Sequence, residues 1–270
     1  MTVKVAVSGA LGRMGRRIIN LALQDPEIAL CGALESEEKA KRFNNLGEAL
    51  KEESLKGVPL TAEAQEVLKN CDVLIEFSNS TEGALEHTQT AVNLGKKVVI
   101  GTTGFSKEQL QKLEKLAKEG TVLFSPNMSL GVNLLFRLVQ IATQVLKDKD
   151  FDIEIGEIHH RFKKDAPSGT AMKLAQIVAK ELGVDLEKAV VFGRKGHYER
   201  AKNDIGIMTF RGGDVVGEHT VYFFGFGERL ELTHRATNRD IFAKGALVAA
   251  KWIADKKPGK LYNMFDVLGL

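Results

Sequence analysis

Cysteine is scarce in this chain: Cys31 and Cys71 are the only two in 270 residues. That excludes a disulfide-built scaffold, and because both neighbour predicted strands they are expected to be reduced, buried thiols. Long apolar runs are missing too. None approaches the roughly 20 residues of a membrane span, and Met1-Thr2-Val3-Lys4-Val5-Ala6-Val7 enters a strand with no cationic leader or apolar signal core, so a cytoplasmic protein is expected. Nor is there a charge excess. Lys and Arg number 38 against 35 Asp and Glu, a net +3, and no arginine-rich stripe interleaves with aromatics, which sets nucleic acid aside. No His-x-x-x-His pair occurs and the cysteines lie far from the tandem histidines, so no metal is expected. What is present, 44% hydrophobic residues, suits one generous domain or two small ones with a real core.

The first half repeats one pattern. Val3–Ser8 reads as a strand, Gly9-Ala10-Leu11-Gly12-Arg13-Met14-Gly15-Arg16 as a glycine-rich turn, and Arg17-Ile18-Ile19-Asn20-Leu21-Ala22-Leu23 as an amphipathic helix. Early glycines allow a tight turn close to a pyrophosphate, and a later one lets helix pack on strand. A purely structural turn is the competing reading. A second strand ends in Glu35, where an acid accepts hydrogen bonds from an adenosine ribose. Further apolar runs stop at Ser78-Asn79-Ser80-Thr81, at Gly101-Thr102-Thr103 and at Ser125-Pro126-Asn127-Met128. In a doubly wound parallel sheet such ends line one crevice, although each small polar residue also serves as a helix cap. The candidate cofactor contacts are therefore Gly9, Ala10, Leu11, Gly12, Arg13, Met14, Glu35, Gly101, Thr102, Thr103, Ser125, Pro126, Asn127 and Met128.

After Met128 the pattern changes. Residues 131–147 read as a long helix, followed by alternating segments at 151–158, 205–210, 218–224 and 229–234 with a tight turn at Gly212-Gly213-Asp214, then helix again from Asn238. The expected architecture is α/β: a Rossmann-like doubly wound parallel sheet over 1–128, plus a second α+β domain over 129–238 with a mixed, largely antiparallel sheet.

The densest chemistry lies in Glu157-Ile158-His159-His160-Arg161-Phe162-Lys163-Lys164-Asp165-Ala166-Pro167-Ser168-Gly169-Thr170. Two histidines sit where a strand gives way to a loop. Ser168 is placed to cap a helix over 170–182 that stops at Gly183. The first amides, on Ser168, Gly169 and Thr170, can face a carboxylate. A basic cluster is often only a solvated face, but such a face has no use for a Pro-Ser-Gly-Thr turn that presents bare amides beside it. His87, His197, His219 and His234 lack this context and are read as structural or surface residues.

This segment resembles the signature of the dihydrodipicolinate reductase family, Glu-x-His-His-x-x-Lys-x-Asp-Ala-Pro-Ser-Gly-Thr-Ala, throughout residues 157–171. The glycine turn, Gly101-Thr102-Thr103-Gly104, Asn127-Met128-Ser129 and residues 213–220 resemble the family's other blocks in the family's order. The resemblance implies NADH- or NADPH-dependent reduction of a small cyclic dicarboxylate, 4-hydroxy-tetrahydrodipicolinate or its dehydration product, to tetrahydrodipicolinate in lysine and diaminopimelate biosynthesis. It also implies that 239–270 return to complete the nucleotide domain, and a homotetramer built through the second sheet. Hydride addition to a carbon conjugated with the ring imine leaves charge in an enamine-like system, which must be protonated while two carboxylates are held. His159 is the expected proton donor, with Lys163 supplying a further proton or positive field. His160, Ser168, Gly169 and Thr170 are the expected substrate contacts, and Arg161 and Lys164 are left aside. Some members carry an arginine after the ribose-binding acid, whereas here Ser36 follows Glu35, with Lys39, Lys41 and Arg42 close by. NADH is therefore expected to serve at least as well as NADPH. Two other classes compete: another nicotinamide-dependent dehydrogenase with an inserted domain, for which no catalytic-cysteine motif is present, and a non-catalytic dinucleotide sensor.

Overall fold

A computed structural model describes residues 2–270. The chain divides into two compact units, one running to Leu130 and resuming over Asp240–Leu270, the other Gly131–Arg239.

The first unit is built on strands β1 (Val3–Ser8), β2 (Ile28–Leu34), β3 (Leu60–Thr61), β4 (Val73–Glu76), β5 (Lys97–Ile100), β6 (Val122–Phe124) and β12 (Leu261–Tyr262). All seven pair in parallel, in the order β12-β6-β5-β4-β1-β2-β3. Strands covered on both faces read as continuous apolar runs, and β1 shows why. Val5 and Val7 face a core shared with helices Arg13–Ala22 and Asp240–Ile253, while Ala6 faces a second core with Leu113 and Ala117 of helix Lys107–Glu119. Strand order reverses between β1 and β4, the switch point at which such sheets open a ligand crevice. The Rossmann-like expectation holds.

The second unit carries β7 (Asp152–His159), β8 (Val190–Phe192), β9 (Ile205–Arg211), β10 (Gly217–Gly225) and β11 (Glu228–Ala236), ordered β11-β10-β7-β9-β8. The sheet is mixed, as expected. Pairing is antiparallel along β11-β10-β7 and parallel along β7-β9-β8. The helix Gly169–Leu182 lies between β7 and β8 in sequence, and a helical crossover returns the chain in the same direction, which alternation alone does not reveal. On β7 the buried residues are Ile153, Ile155, Glu157 and His159. One face of one strand thus runs from aliphatic core to acid and imidazole.

The cysteines depart from expectation. Cys31 and Cys71 form a disulfide across a Cα–Cα distance of 5.8 Å. Helix Ala64–Leu68 packs on β2 over Gly32, where a Cβ would stand 2.3 Å from Val67 Cγ1. That close approach sets Cys71, three residues beyond the helix, over Cys31 of β2, within bridging range. Among the described residues no helix is long and apolar enough to cross a membrane, and no group of three or more His, Cys, Asp or Glu is placed to hold a metal ion.

Candidate active site

In the first unit a cleft of about 570 Å³ opens at the carboxyl ends of β1, β2 and β4, lined by Gly9, Gly12, Arg13, Met14, Glu35, Ser36, Lys39, the segment 77–80 and His87 among others. Gly9 has φ +70°, and a Cβ there would stand 2.7 Å from Phe77 O, so only glycine makes this turn. A Cβ on Gly15 would stand 2.2 Å from Gly9 O. Most amides of the turn are already engaged. Gly9 and Ala10 donate to Leu34 O, Gly12 to Gly9 O, and Leu11 to Glu35 Oε2 at 3.1 Å. These residues shape the turn, and the anion-facing end is the start of helix Arg13–Ala22, whose N-cap Gly12 supplies no side-chain cap. Glu35 also accepts from the Ser36 amide and from Lys39 Nζ at 3.1 Å. Lys41 and Arg42 are instead paired with Glu37 and Glu38. A tight glycine turn, an uncapped helix start and an acid at the next strand end fit a dinucleotide.

The remaining expected cofactor residues lie on neighbouring strand ends. Gly101 donates to Glu76 O, and a Cβ on it would strike the Phe77 ring. Thr102 is buried and donates to Ser78 O at 2.9 Å, whereas Thr103 is exposed. Ser125 Oγ donates to Asn127 O, Asn127 Oδ1 accepts from the Ser129 amide, Pro126 is exposed and Met128 is buried. None of these seven lines the cleft. His87, read as structural or surface, is a cleft residue whose Nδ1 lies 2.7 Å from Oε2 of the buried Glu76. Burial pushes that carboxylate up, but the bonds from His87 and Ser78 outweigh it and leave it below its ordinary range.

In the second unit the segment from Glu157 to Thr170 folds around one carboxylate. Glu157 is fully buried. Its Oε2 accepts from His159 Nδ1 at 2.5 Å and Arg211 Nη1 at 2.9 Å, and its Oε1 from Arg211 Nη2 at 2.9 Å, the Ser168 amide at 3.0 Å and Thr209 Oγ1 at 3.2 Å. Sheet register assembles this set: Glu157 lies between Thr209 of β9 and His219 of β10, and His159 beside Arg211. Burial, the largest influence, raises Glu157, yet the bonds from Arg211, His159 and Ser168 prevail and hold it below the usual carboxylate range. Burial likewise lowers His159, reinforced by Lys163 and Arg211, and only Glu157 opposes it.

Ser168 caps helix Gly169–Leu182 as expected, its Oγ accepting from the Ala171 amide, and Gly183 closes the helix in the left-handed region at φ +72°. Its own amide is not available to a ligand, because Glu157 already takes it. That corrects the expectation of three donors. A Cβ on Gly169 would meet nothing within 4 Å, so the helix start is open there. His219, another histidine read as structural or surface, is buried 5.1 Å from the His159 ring and shares a 2.9 Å hydrogen bond with Ser168 Oγ. Burial and the neighbouring His159 push it down to about 3, so it is neutral at pH 7. Lys163 Nζ donates to both oxygens of Asp165 at 2.8 Å, and Arg239 donates to His160 Nε2 at 3.3 Å. Sequence reasoning missed Glu157, Thr209, Arg211, His219 and Arg239. Only Glu157 left a signal, two residues before His159 on the same strand face.

Residues 3–128 match the family model described as "Dihydrodipicolinate reductase, N-terminus", and residues 131–268 the one described as "Dihydrodipicolinate reductase, C-terminus". The chain belongs to the dihydrodipicolinate reductase family. It is 59% identical to the 4-hydroxy-tetrahydrodipicolinate reductase of Aquifex aeolicus over 270 residues, all of both chains, and 47% identical to that of Syntrophotalea carbinolica over 99% of each. Among solved structures, the dihydrodipicolinate reductase of Paenisporosarcina sp. TG-14 with dipicolinate bound superposes with a TM-score of 0.79 at 25% identity, covering 98% of this chain and 99% of that one. As a dihydrodipicolinate reductase family member the chain is an NAD(P)H-dependent oxidoreductase.

Proposed function

We infer that the protein reduces 4-hydroxy-tetrahydrodipicolinate, or the dihydrodipicolinate formed from it by dehydration, to tetrahydrodipicolinate in the cytoplasm, for lysine and diaminopimelate biosynthesis. The observation that carries the reading is the grouping, around Glu157, of the His159 imidazole with the turn that opens helix Gly169–Leu182. Bound NADH or NADPH supplies the hydride. Gly9–Met14 and Glu35 would hold it, with the helix start at Arg13 facing the pyrophosphate and Glu35 the adenosine ribose. Residues 101–103 and 125–128 are assigned to the same nucleotide.

His159 donates the proton that the reduced ring system needs, since an imidazole can carry one near neutral pH. Lys163, held by Asp165, supplies positive field or a further proton. His160, Gly169 and Thr170 bind the substrate carboxylates, and Ser168 contributes through its cap. The dipicolinate bound to the Paenisporosarcina relative, a planar pyridine dicarboxylate, supports this substrate class. A homotetramer is assigned to the face of the second sheet that carries Phe210, Tyr222 and Phe224. Phe210 is 58% exposed and the other two rings stack at 5.6 Å, which leaves apolar surface that self-association covers.

Coenzyme choice tests the reading of the cleft. Glu35 repels a 2′-phosphate, but Lys39 sits on that carboxylate and supplies a partner for one. With enzymatically generated substrate, NADH is expected to match or exceed NADPH in kcat/KM. Lys39→Ala is expected to cost NADPH more than NADH. A tenfold preference for NADPH, about 1.4 kcal/mol in transition-state terms, would overturn the assignment of Glu35, and absence of turnover with either coenzyme would overturn the function.

A further inference from the structure

Five donors converge on the Glu157 carboxylate, from β7, β9 and the turn before helix Gly169–Leu182. An ionised carboxylate offers about four lone-pair sites, so this one has none left for substrate or solvent. It is also fully buried and held below the ordinary range, so it is no proton source itself. Two of these five donors nevertheless belong to the machinery proposed above. The proton donor is bound through Nδ1, and the anion-binding turn through the Ser168 amide, which reaches across eleven residues of sequence.

We propose that Glu157 is a positioning residue for the reduction. Its carboxylate fixes His159 with a proton on Nδ1, so that the imidazole delivers its proton from Nε2, and the same carboxylate keeps the Ser168–Thr170 turn in register with that ring. The inference rests on the role of His159 stated above. In the neutral ring the single N–H belongs to whichever nitrogen has an acceptor. Oε2 of Glu157, 2.5 Å away, is that acceptor, and Arg211 forks both carboxylate oxygens so that Glu157 cannot rotate away. On the other edge of the ring, a Cβ on Gly217 would stand 2.9 Å from Nε2. Glycine in this register position of β10 leaves room there. When the protonated ring gives up the Nε2 proton, the Nδ1 proton and its bond to Glu157 remain, and the ring returns to the tautomer from which it started.

The charged and titratable groups acting on His159 are Glu157 on its own strand, Lys163 in the loop that follows, itself paired with Asp165, Arg211 on β9 and His219 on β10. Glu157 is the anion in direct contact. Replacing it by glutamine leaves burial and two cations acting against the imidazolium, so His159 should hold its proton only at lower pH. Because the protonated ring is the active form, the limb on which kcat falls with rising pH should move to lower pH.

Neutron diffraction from crystals of the wild-type protein at a pD near 8 reads the tautomer without reference to turnover. A deuteron on Nδ1 is expected, and a ring deuterated only on Nε2 overturns the proposal. In steady-state kinetics Glu157→Gln should lower kcat at pH 8 by more than about tenfold, with the deficit shrinking as pH falls and the KM for coenzyme unchanged. Glu157→Asp, which keeps the charge, should recover part of the lost limb. A Glu157→Gln profile that coincides in shape with wild type overturns the proposal. Should that variant fail to fold with Arg211 left unpaired, the double variant Glu157→Gln, Arg211→Gln removes both charges and is read in the same way. Loss of all wild-type turnover would refute the functional reading, whereas a deuteron on Nδ1 would still support the positioning of the ring.

Discussion

At His159 two requirements oppose each other: a ring sheltered enough to shield the reacting carbon from water, and one that still accepts a proton near neutral pH. Burial works against the second, and a carboxylate on the same strand face restores part of it. His159→Ala and Lys163→Ala are each expected to lower kcat by roughly 10²–10⁴ with the far-ultraviolet spectrum unchanged. Near-wild-type turnover in both would remove them from the mechanism. At this scale the tandem histidines, Lys163 and the Pro-Ser-Gly-Thr turn were legible because adjacent residues carry their own chemistry into the same place. Arg211 and His219 were not, since they lie 52 and 60 positions beyond His159 and reach Glu157 only through strand register. The amide of Ser168 was misjudged for a related reason: a bare helix start is bare only until the rest of the fold arrives, and Glu157 arrives from eleven residues upstream.

Elements with local stop and start signals were readable within a residue or two. Helix Gly169–Leu182 begins after its serine cap and ends at a glycine in the left-handed region, and helix Lys107–Glu119 begins with a capping box of Ser106 and Gln109. Strands β8 and β12, three and two residues long, carry no periodicity to read and exist only by pairing. The disulfide belongs with them, because a helix packing over Gly32 creates it and 40 residues separate its partners. Closing a loop of that length is worth roughly 3–4 kcal/mol in the chain-entropy picture. Thiol titration in denaturant without reductant should find no free thiol. Reduction should lower the Tm by roughly 5–15 °C. Two titratable thiols, or a Tm indifferent to reductant, would show that the bridge does not form.

For the molecule as a whole, the parallel, doubly wound character of the first sheet followed from repeated strand ends, whereas the parallel pairing of β7, β9 and β8 in the second depended on a crossover that alternation does not record. Light scattering is expected to give four times the chain mass, and Phe210→Glu together with Phe224→Glu to reduce it; a wild-type monomer would leave that face without the assigned role. The way the chain is divided between its units bears on how it is made. The second unit is continuous, so all of it has been synthesised once Arg239 has left the ribosome. The first unit is not. Its core includes Ala243, Ala246, Leu247 and Ile253, and Gly245 packs so closely on Met128 O that a Cβ would stand 1.7 Å away. Until that helix is translated, the nascent nucleotide sheet waits with one apolar face uncovered, so the order of synthesis makes the later-encoded unit the first able to fold completely.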